Sequence, residues 1–155
     1  MKKLFSIFLI MFFVSCGVVY AQGFTKQSFE GNYAAKIIYG DNEGTAMGVI
    51  NGSGDGSASA TLTLNLPGLG LKRVIIPATA VGTYTVETDG PMTVAFTITL
   101  ENGTKIDETA DCVIMQADDN NLATELYCVG REPLTPLRGF KRGGIIVFTC
   151  KRLPD

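Results

Sequence analysis

The sequence predicts an all-β protein, an antiparallel up-and-down meander barrel of about eight strands. Three observations support this prediction. Apolar and hydroxyl-bearing residues alternate over long runs, as on strands with one buried face. Dipeptides of Asn or Asp followed by Gly separate the runs, and such dipeptides are typical of hairpin turns. After residue 22, no stretch of about a dozen residues has the spacing of an amphipathic helix.

Two runs show the alternation most clearly. In residues 57–66 the apolar face consists of Ala58, Ala60, Leu62, Leu64 and Leu66. In residues 92–101 it consists of Met92, Val94, Phe96, Ile98 and Leu100. Most of the intervening residues are Ser or Thr, so each run predicts a strand with one face toward the core.

The predicted strands follow one another with short connections. They are residues 31–39, 45–51, 57–66, 72–76, 79–88, 92–101, 105–116, 122–130 and 145–152. Pro77 separates the fourth from the fifth, because proline cannot donate to a strand ladder, and Gly82 predicts a bend in the fifth. Turns are predicted at Asn51-Gly52, Asp55-Gly56, Asp89-Gly90 and Asn102-Gly103. Residues 24–30 are the one helical candidate.

The order of the strands favours a closed barrel. Consecutive strands with short connections pair with their sequence neighbours, and closure removes the two edge strands that could pair with other chains. A two-sheet β-sandwich is the alternative architecture.

The first 21 residues have the layout of a bacterial signal peptide. Lys2 and Lys3 precede an apolar run over residues 4–14, which is too short to cross a bilayer core of about 30 Å. Cleavage after Ala21 leaves residues 22–155 as a single domain in the periplasm or outside the cell. Cys16 offers an alternative, because the residues before it resemble the site at which bacterial lipoproteins are acylated, and a lipid there would anchor the domain to the cell envelope.

The composition argues against several kinds of site. The chain has no His, which removes Ser-His-Asp and Cys-His catalysis together with the commonest zinc ligand. Its formal net charge is −2, whereas nucleic-acid binding usually requires a basic surface. We therefore expect no metal, no cofactor, no nucleic-acid partner and no membrane span.

Three cysteines lie on successive predicted strands. Cys112 and Cys128 are equally distant from Asn120, in a turn predicted at residues 118–121, so they face each other across the hairpin if the register holds. Cys128 and Cys150 are similarly symmetric about Gly139, but across a longer loop. Outside the cytoplasm a disulfide is expected, with one thiol left over. We favour Cys112–Cys128 over Cys128–Cys150.

A carboxylate-dependent enzyme is one alternative function. The candidate acids are Asp107, Glu108, Asp111 and Glu125. If Cys112 faces inward, the alternation places Glu108 inside and Asp111 outside, and the next strand places Glu125 outside. Hydrolysis by two carboxylates needs a second acid near the first, so we do not expect an enzyme.

The segment Phe29-Glu30-Gly31-Asn32-Tyr33 resembles the entry to the first strand of a lipocalin or wider calycin barrel, where Gly-x-Trp follows a short helical turn. Tyr33 stands in place of the Trp. In that family a basic residue near the end of the last strand packs across the aromatic ring, and Lys151 and Arg152 lie in the matching region. The resemblance implies a lipocalin-like barrel, with a small apolar ligand inside if the interior is hollow.

These features lead us to expect an exported, non-enzymatic binding protein. The small apolar ligand would lie in the barrel or at its mouth, against Leu62, Leu64, Leu69, Leu71, Phe96 and Ile98. The alternative is a structural or interaction module at the bacterial cell surface that uses its loops or its outer sheet face. The interior volume separates the two hypotheses, because a cavity on the order of several hundred Å³ favours a ligand and a filled interior favours the module.

Overall fold

The structure, a computed structural model, describes residues 23–40, 44–68, 72–131 and 145–154. A 3₁₀ helix (Lys26–Phe29) leads into eight strands. They are β1 (Glu30–Tyr39), β2 (Gly44–Ser53), β3 (Ser57–Pro67), β4 (Arg73–Val86), β5 (Pro91–Leu100), β6 (Lys105–Ala117), β7 (Ala123–Gly130) and β8 (Ile146–Arg152). The predicted signal peptide, Cys16, Leu69 and Leu71 lie outside the described residues.

The eight strands form one closed barrel. Each strand pairs antiparallel with its neighbours in sequence, and β8 pairs with β1 to complete the ring. The up-and-down barrel is therefore confirmed, and the sandwich alternative is wrong, because a sandwich would divide the strands between two sheets. Within the described residues, no helix has the length and hydropathy of a membrane span.

The prediction of separate strands at residues 72–76 and 79–88 is wrong, because β4 runs without interruption through Pro77. The register gives the reason. Pairing between β4 and β5 begins with Ala78 opposite Leu100, so Pro77 faces only Thr63 of β3. The missing N–H of a proline breaks no ladder hydrogen bond where a second strand is not present.

Two glycines lie inside strands at points where a backbone carbonyl and an aromatic ring come close to them. The turn predicted at Asn51-Gly52 is wrong: both residues belong to β2, and the turn lies at residues 54–56. A Cβ on Gly52 would clash with the carbonyl oxygen of Phe29 and lie 2.8 Å from Cδ1 of its ring. A Cβ on Gly82 would clash with the carbonyl oxygen of Ala95 and lie 2.8 Å from Cδ1 of Phe96. Glycine thus lets backbone and ring approach the strand closely. The other three dipeptides lie at turns, as predicted.

The interior is filled mainly by apolar side chains of unequal size. Of the ten apolar residues predicted to face inward on β3 and β5, nine are buried and Phe96 is half-buried. Small side chains dominate β2 to β4, where Ala46, Ala58, Ala60, Ala78 and Ala80 are buried. Larger buried side chains come from β1, β3, β7 and β8, among other strands, and include Tyr33, Leu64, Leu126 and Phe148. The small residues leave room for the large ones to cross the interior.

Candidate functional site

The two ends of the barrel differ in what covers them. The helix end carries the 3₁₀ helix and the connections β2–β3, β4–β5 and β6–β7. The loop end carries the turn at residues 101–104 and the connections β1–β2, β3–β4 and β7–β8, which include residues outside the described ranges. The interior is packed differently toward these two ends.

Aromatic rings and their hydroxyl groups close the helix end. The ring centroid of Phe29 lies 4.6 Å from that of Tyr33 and 5.0 Å from that of Tyr84, with the second pair nearly perpendicular at 89°. Oη of Tyr84 donates to the carbonyl of Lys26 at 3.0 Å and accepts from the N–H of Gly54 at 2.9 Å. The rings bury apolar area while their polar atoms remain hydrogen-bonded.

Arg152 lies beside Tyr33 at this end. The two residues are directly opposite in the β1–β8 register, and Nε of Arg152 is 3.1 Å from the point that a Cβ on Gly31 would occupy. Oη of Tyr33 donates to the carbonyl of Ala123 at 3.0 Å. Burial raises the pKa of Tyr33 to about 12, although the charge of Arg152 acts in the opposite direction. Of the two basic residues singled out in the sequence, Lys151 is exposed on the outer face.

An apolar pocket of about 40 Å³ extends from the middle of the barrel toward the loop end. Its lining consists of Ile37, Tyr39, Ile50, Ala60, Leu62, Ala80, Val94, Phe96, Ile98, Glu108, Ala110, Ile146 and Phe148. Leu62, Phe96 and Ile98 were predicted to contact a ligand, and all three line this pocket, whereas Leu64 is buried elsewhere in the core.

The size of the pocket limits what it can hold. A cavity needs about 10–15 Å³ to hold one water molecule, and an engineered cavity of about 150 Å³ holds benzene. At about 40 Å³, the pocket accommodates a short apolar chain rather than a large ligand. A second pocket of about 10 Å³ beside Cys112, Cys128 and Cys150 is smaller still. Most of the interior is therefore filled, as expected of an interaction module. The pocket is far below the volume, on the order of several hundred Å³, that would favour a ligand enclosed in the barrel.

Two residues bring polar groups to the larger pocket. Glu108 faces inward, as the alternation predicts, and its buried Oε1 lies 3.0 Å from the point that a Cβ on Gly130 would occupy. Tyr39, at the end of β1, is 5% exposed. Burial raises its pKa, and the nearby negative charge of Glu108 adds to that shift. The phenol is therefore neutral at physiological pH and can either donate or accept a hydrogen bond.

The other candidate acids lie on the outer face. Asp107 accepts a hydrogen bond from Oγ1 of Thr97 at 2.7 Å. Asp111 accepts from Nε of Arg131 at 2.8 Å, and this guanidinium lowers the pKa of the Asp111 carboxyl. Among the described residues that line the pocket, Glu108 is the one carboxylate. Within the residues that the structure describes, no three His, Cys, Asp or Glu side chains are grouped so that they could hold a metal ion.

The predicted disulfide between Cys112 and Cys128 is present. The two residues are directly opposite in the β6–β7 register, with their Cα atoms 4.0 Å apart. The alternative pairing of Cys128 with Cys150 is not formed, because Cys150 lies opposite Leu126 instead. Burial raises the pKa of the Cys150 thiol to about 12. It is therefore uncharged at neutral pH, and an uncharged thiol is a poor nucleophile.

Sequence reasoning did not identify Tyr39 and Gly130 as part of the site. The alternation along β1 could have placed Tyr39 inside, since it is two residues beyond Ile37. No local signal marks Gly130, because its role depends on the side chain of Glu108 on the neighbouring strand.

Comparison with known proteins supports the fold. The chain is similar to a redesigned β-barrel of known structure, with a TM-score of 0.51 and 13% sequence identity over 83% of this chain and 95% of that one. At this identity the similarity shows the fold alone. No protein-family model matches the sequence, and no curated protein matches it.

Proposed function

We propose that this protein is an exported, non-enzymatic barrel that holds the apolar part of a small molecule in the pocket toward the loop end. The observation that carries the proposal is the unequal packing of the interior. The helix end is closed by hydrogen-bonded aromatic rings, whereas the other half retains an apolar pocket with two polar residues at its wall. Ligand sites commonly combine an apolar lining with a few polar groups.

The volume defines the class of ligand. About 40 Å³ suits an alkyl terminus, so the rest of the ligand would extend toward the loop end. A bulkier apolar group would need a side chain of the lining to move. Phe96, half-buried and packed against Gly82, is the side chain that we expect to do so.

Two further features support the proposed export of the protein and its proposed relationship to a barrel family. The Cys112–Cys128 disulfide is typical of proteins outside the reducing cytoplasm. The contact of Arg152 with Gly31, and its place opposite Tyr33, support a distant relationship to the lipocalin or calycin barrels. In this proposal Tyr33 and Arg152 belong to the scaffold and do not contact the ligand.

A weakly binding neutral probe tests the proposal. Butan-1-ol is titrated into ¹⁵N-labelled protein, and amide chemical shifts are followed for the loop-end half and the helix end. We expect saturable shifts at Ile37, Ile98 and Ala110, with no saturable change at Tyr84. Uniform shifts, or none, would contradict the proposal.

A pair of matched variants strengthens this test. Ala80→Val adds two methyl groups to the pocket wall, whereas Ala95→Val adds the same groups on the exposed face of β5. We expect Ala80→Val to abolish the saturable shifts and Ala95→Val to preserve them. Equal binding by both variants would place the probe somewhere other than this pocket.

A second candidate function, an interaction module, is supported by an apolar band on the outer face of β6 and β7. Val113, Met115, Tyr127 and Val129 are 39%, 60%, 44% and 39% exposed, and Val113 lies opposite Tyr127. Neighbouring exposed apolar residues of this kind mark interaction surfaces.

The charges beside the band favour a second copy of the chain as its partner. Arg131 pairs with Asp111 at one margin, and Lys151 lies 3.7 Å from Glu125 at the other. Each margin carries one cation and one anion, so a copy related by a two-fold axis would place opposite charges in register.

Sedimentation equilibrium over a range of concentrations tests this second function. We expect a dimer that Val129→Glu disrupts, whereas Val81→Glu, at an exposed site on β4 outside the band, leaves it intact. A monomer at every concentration would rule out self-association through the band.

A further inference from the structure

The carboxyl group at the pocket wall carries information about the ligand that the pocket's shape does not. Glu108 is half-buried on β6, two residues before the buried Ala110, and its Oε1 is buried beside Gly130. Ile146 is also close, since its Cβ lies 3.1 Å from the same point above Gly130. A carboxylate is thus held against an otherwise apolar lining.

A negative charge in such a place discriminates strongly between ligands. Water is largely excluded from the pocket wall, so electrostatic interactions there are stronger than in bulk solvent. A ligand carboxylate would meet a like charge, whereas an ammonium group would form a charge-assisted hydrogen bond, roughly twice as strong as a neutral one. The two carboxylate oxygens of Glu108 offer about four acceptor positions, so a ligand can add a bond to those that the group already makes.

Tyr39 is suited to the same ligand. Its neutral hydroxyl can accept a hydrogen bond from an ammonium group and does not bring a second charge. It lies opposite Ile146 in the β1–β8 register, and its side chain and that of Glu108 line the same pocket.

We propose that the pocket selects a short primary alkylamine, with the ammonium group against Glu108 and the alkyl chain against Ile37, Leu62 and Ile98. This inference rests on the proposed function, since it names the ligand class of the same pocket. It requires a carboxyl group at the wall that is ionised in the complex, and an apolar space beside it; the carboxyl group and the space are present.

Three probes of equal chain length test the proposal on the unmodified protein: n-butylamine, butan-1-ol and butanoate. Each is titrated at pH 7 and constant ionic strength, with amide chemical shifts as the readout. We expect n-butylamine to bind at least about tenfold more tightly than butan-1-ol, in keeping with one charge-assisted hydrogen bond, and butanoate to bind more weakly than either.

A matched pair of variants assigns the preference to one residue. Glu108→Gln keeps the size of the side chain and removes its charge. Asp107→Asn removes the same charge from the next residue, which faces outward and bonds Thr97. We expect the preference for the amine over the alcohol to disappear in Glu108→Gln and to persist in Asp107→Asn. Equal losses in both would indicate an effect of overall charge and would overturn the proposal.

The outcomes separate the two levels of the hypothesis. If butan-1-ol binds in the pocket and n-butylamine binds no better, the inference about Glu108 fails and the pocket remains a binding site. If none of the three probes shifts the pocket amides, both proposals fail. Because the probe series uses the natural chain, this comparison holds even if a variant does not fold.

Discussion

The helix end and the loop end of this barrel are built from the same eight strands, yet their interiors are packed to different degrees. At the helix end, Phe29, Tyr33 and Tyr84 form contacting rings whose hydroxyl groups bond backbone groups. Toward the loop end, the interior retains about 40 Å³ of space beside a carboxylate. We therefore expect the helix end to contribute more to the free energy of unfolding than the loop end, where the interior is less well packed.

The largest expected difference between the halves comes from removing one aromatic ring from each. Phe29→Ala should lower the free energy of unfolding by about 3–5 kcal/mol, because the ring is almost fully buried and its removal leaves a cavity. Phe96→Ala should cost less, because Phe96 is half-buried and already borders empty space. Urea denaturation of both variants measures the difference. Equal losses in the free energy of unfolding would contradict the expected difference between the two ends.

The disulfide should give the next largest effect. Cys112 and Cys128 are 16 residues apart, and closing a loop of that size stabilises a protein by about 3 kcal/mol. The double variant Cys112→Ala/Cys128→Ala should lose about that amount in urea denaturation, while Cys150→Ala serves as the control for a buried cysteine that forms no disulfide. A double variant as stable as the control would show that the cross-link contributes little to the barrel.

Raising the pH above about 10 should lower the free energy of unfolding, because Tyr33 at the helix end ionises less readily in the folded state than in the unfolded chain. The pKa of Tyr33 is raised to about 12 in the folded state from about 10 in an unfolded chain. The contribution is fully present below pH 10 and is lost as the pH rises toward 12, by about 1–3 kcal/mol. Tyr33→Phe should make this decline shallower in urea denaturation at pH 9 to 12.

The interpretation of that pH profile needs a control for the other groups that titrate. Cys150, Tyr39 and Tyr84 also have raised pKa values, so the natural chain will lose stability through several groups. Only the difference between Tyr33→Phe and the natural chain therefore reports on Tyr33. Parallel profiles for the two proteins would show that ionisation of Tyr33 does not limit stability.

The smallest expected effect comes from comparing the same enlargement of a side chain in the filled helix end and beside the pocket. Ala123→Val adds two methyl groups at the helix end, where Ala123 has no exposed surface, and overpacking of this kind costs about 1–3 kcal/mol. Ala80→Val adds the same groups beside the pocket and should change stability by less than about 1 kcal/mol. If Ala80→Val is the more damaging change in thermal unfolding, the pocket is not the looser region.

Much of the fold could be predicted from local patterns. The alternation in residues 57–66 and 92–101 identified the inward faces, because successive side chains on a strand point to opposite sides. The equal distances of Cys112 and Cys128 from Asn120 identified the disulfide, because a hairpin pairs residues symmetrically about its turn.

The local signals failed where a neighbouring strand decides the outcome. Pro77 suggested a break, but β5 ends before it could pair there. Asn51-Gly52 suggested a turn, but Gly52 lies in a strand against the ring of Phe29. Proline is compatible with a strand break and with a strand, and Asn-Gly is compatible with a turn and with a strand. What decides between them is the neighbouring strand or ring, which the local sequence does not show.

The sequence by itself determined most of the strands, the inward faces of the clearest two and the inward position of Glu108, since these depend on the two-residue period of the backbone. Only the tertiary structure decided how much space remains inside and what surrounds that carboxylate. Those properties depend on how side chains from Tyr39, Phe96 and Ile146 meet across the barrel, and a closed sheet brings together residues whose separation along the chain carries no local signal.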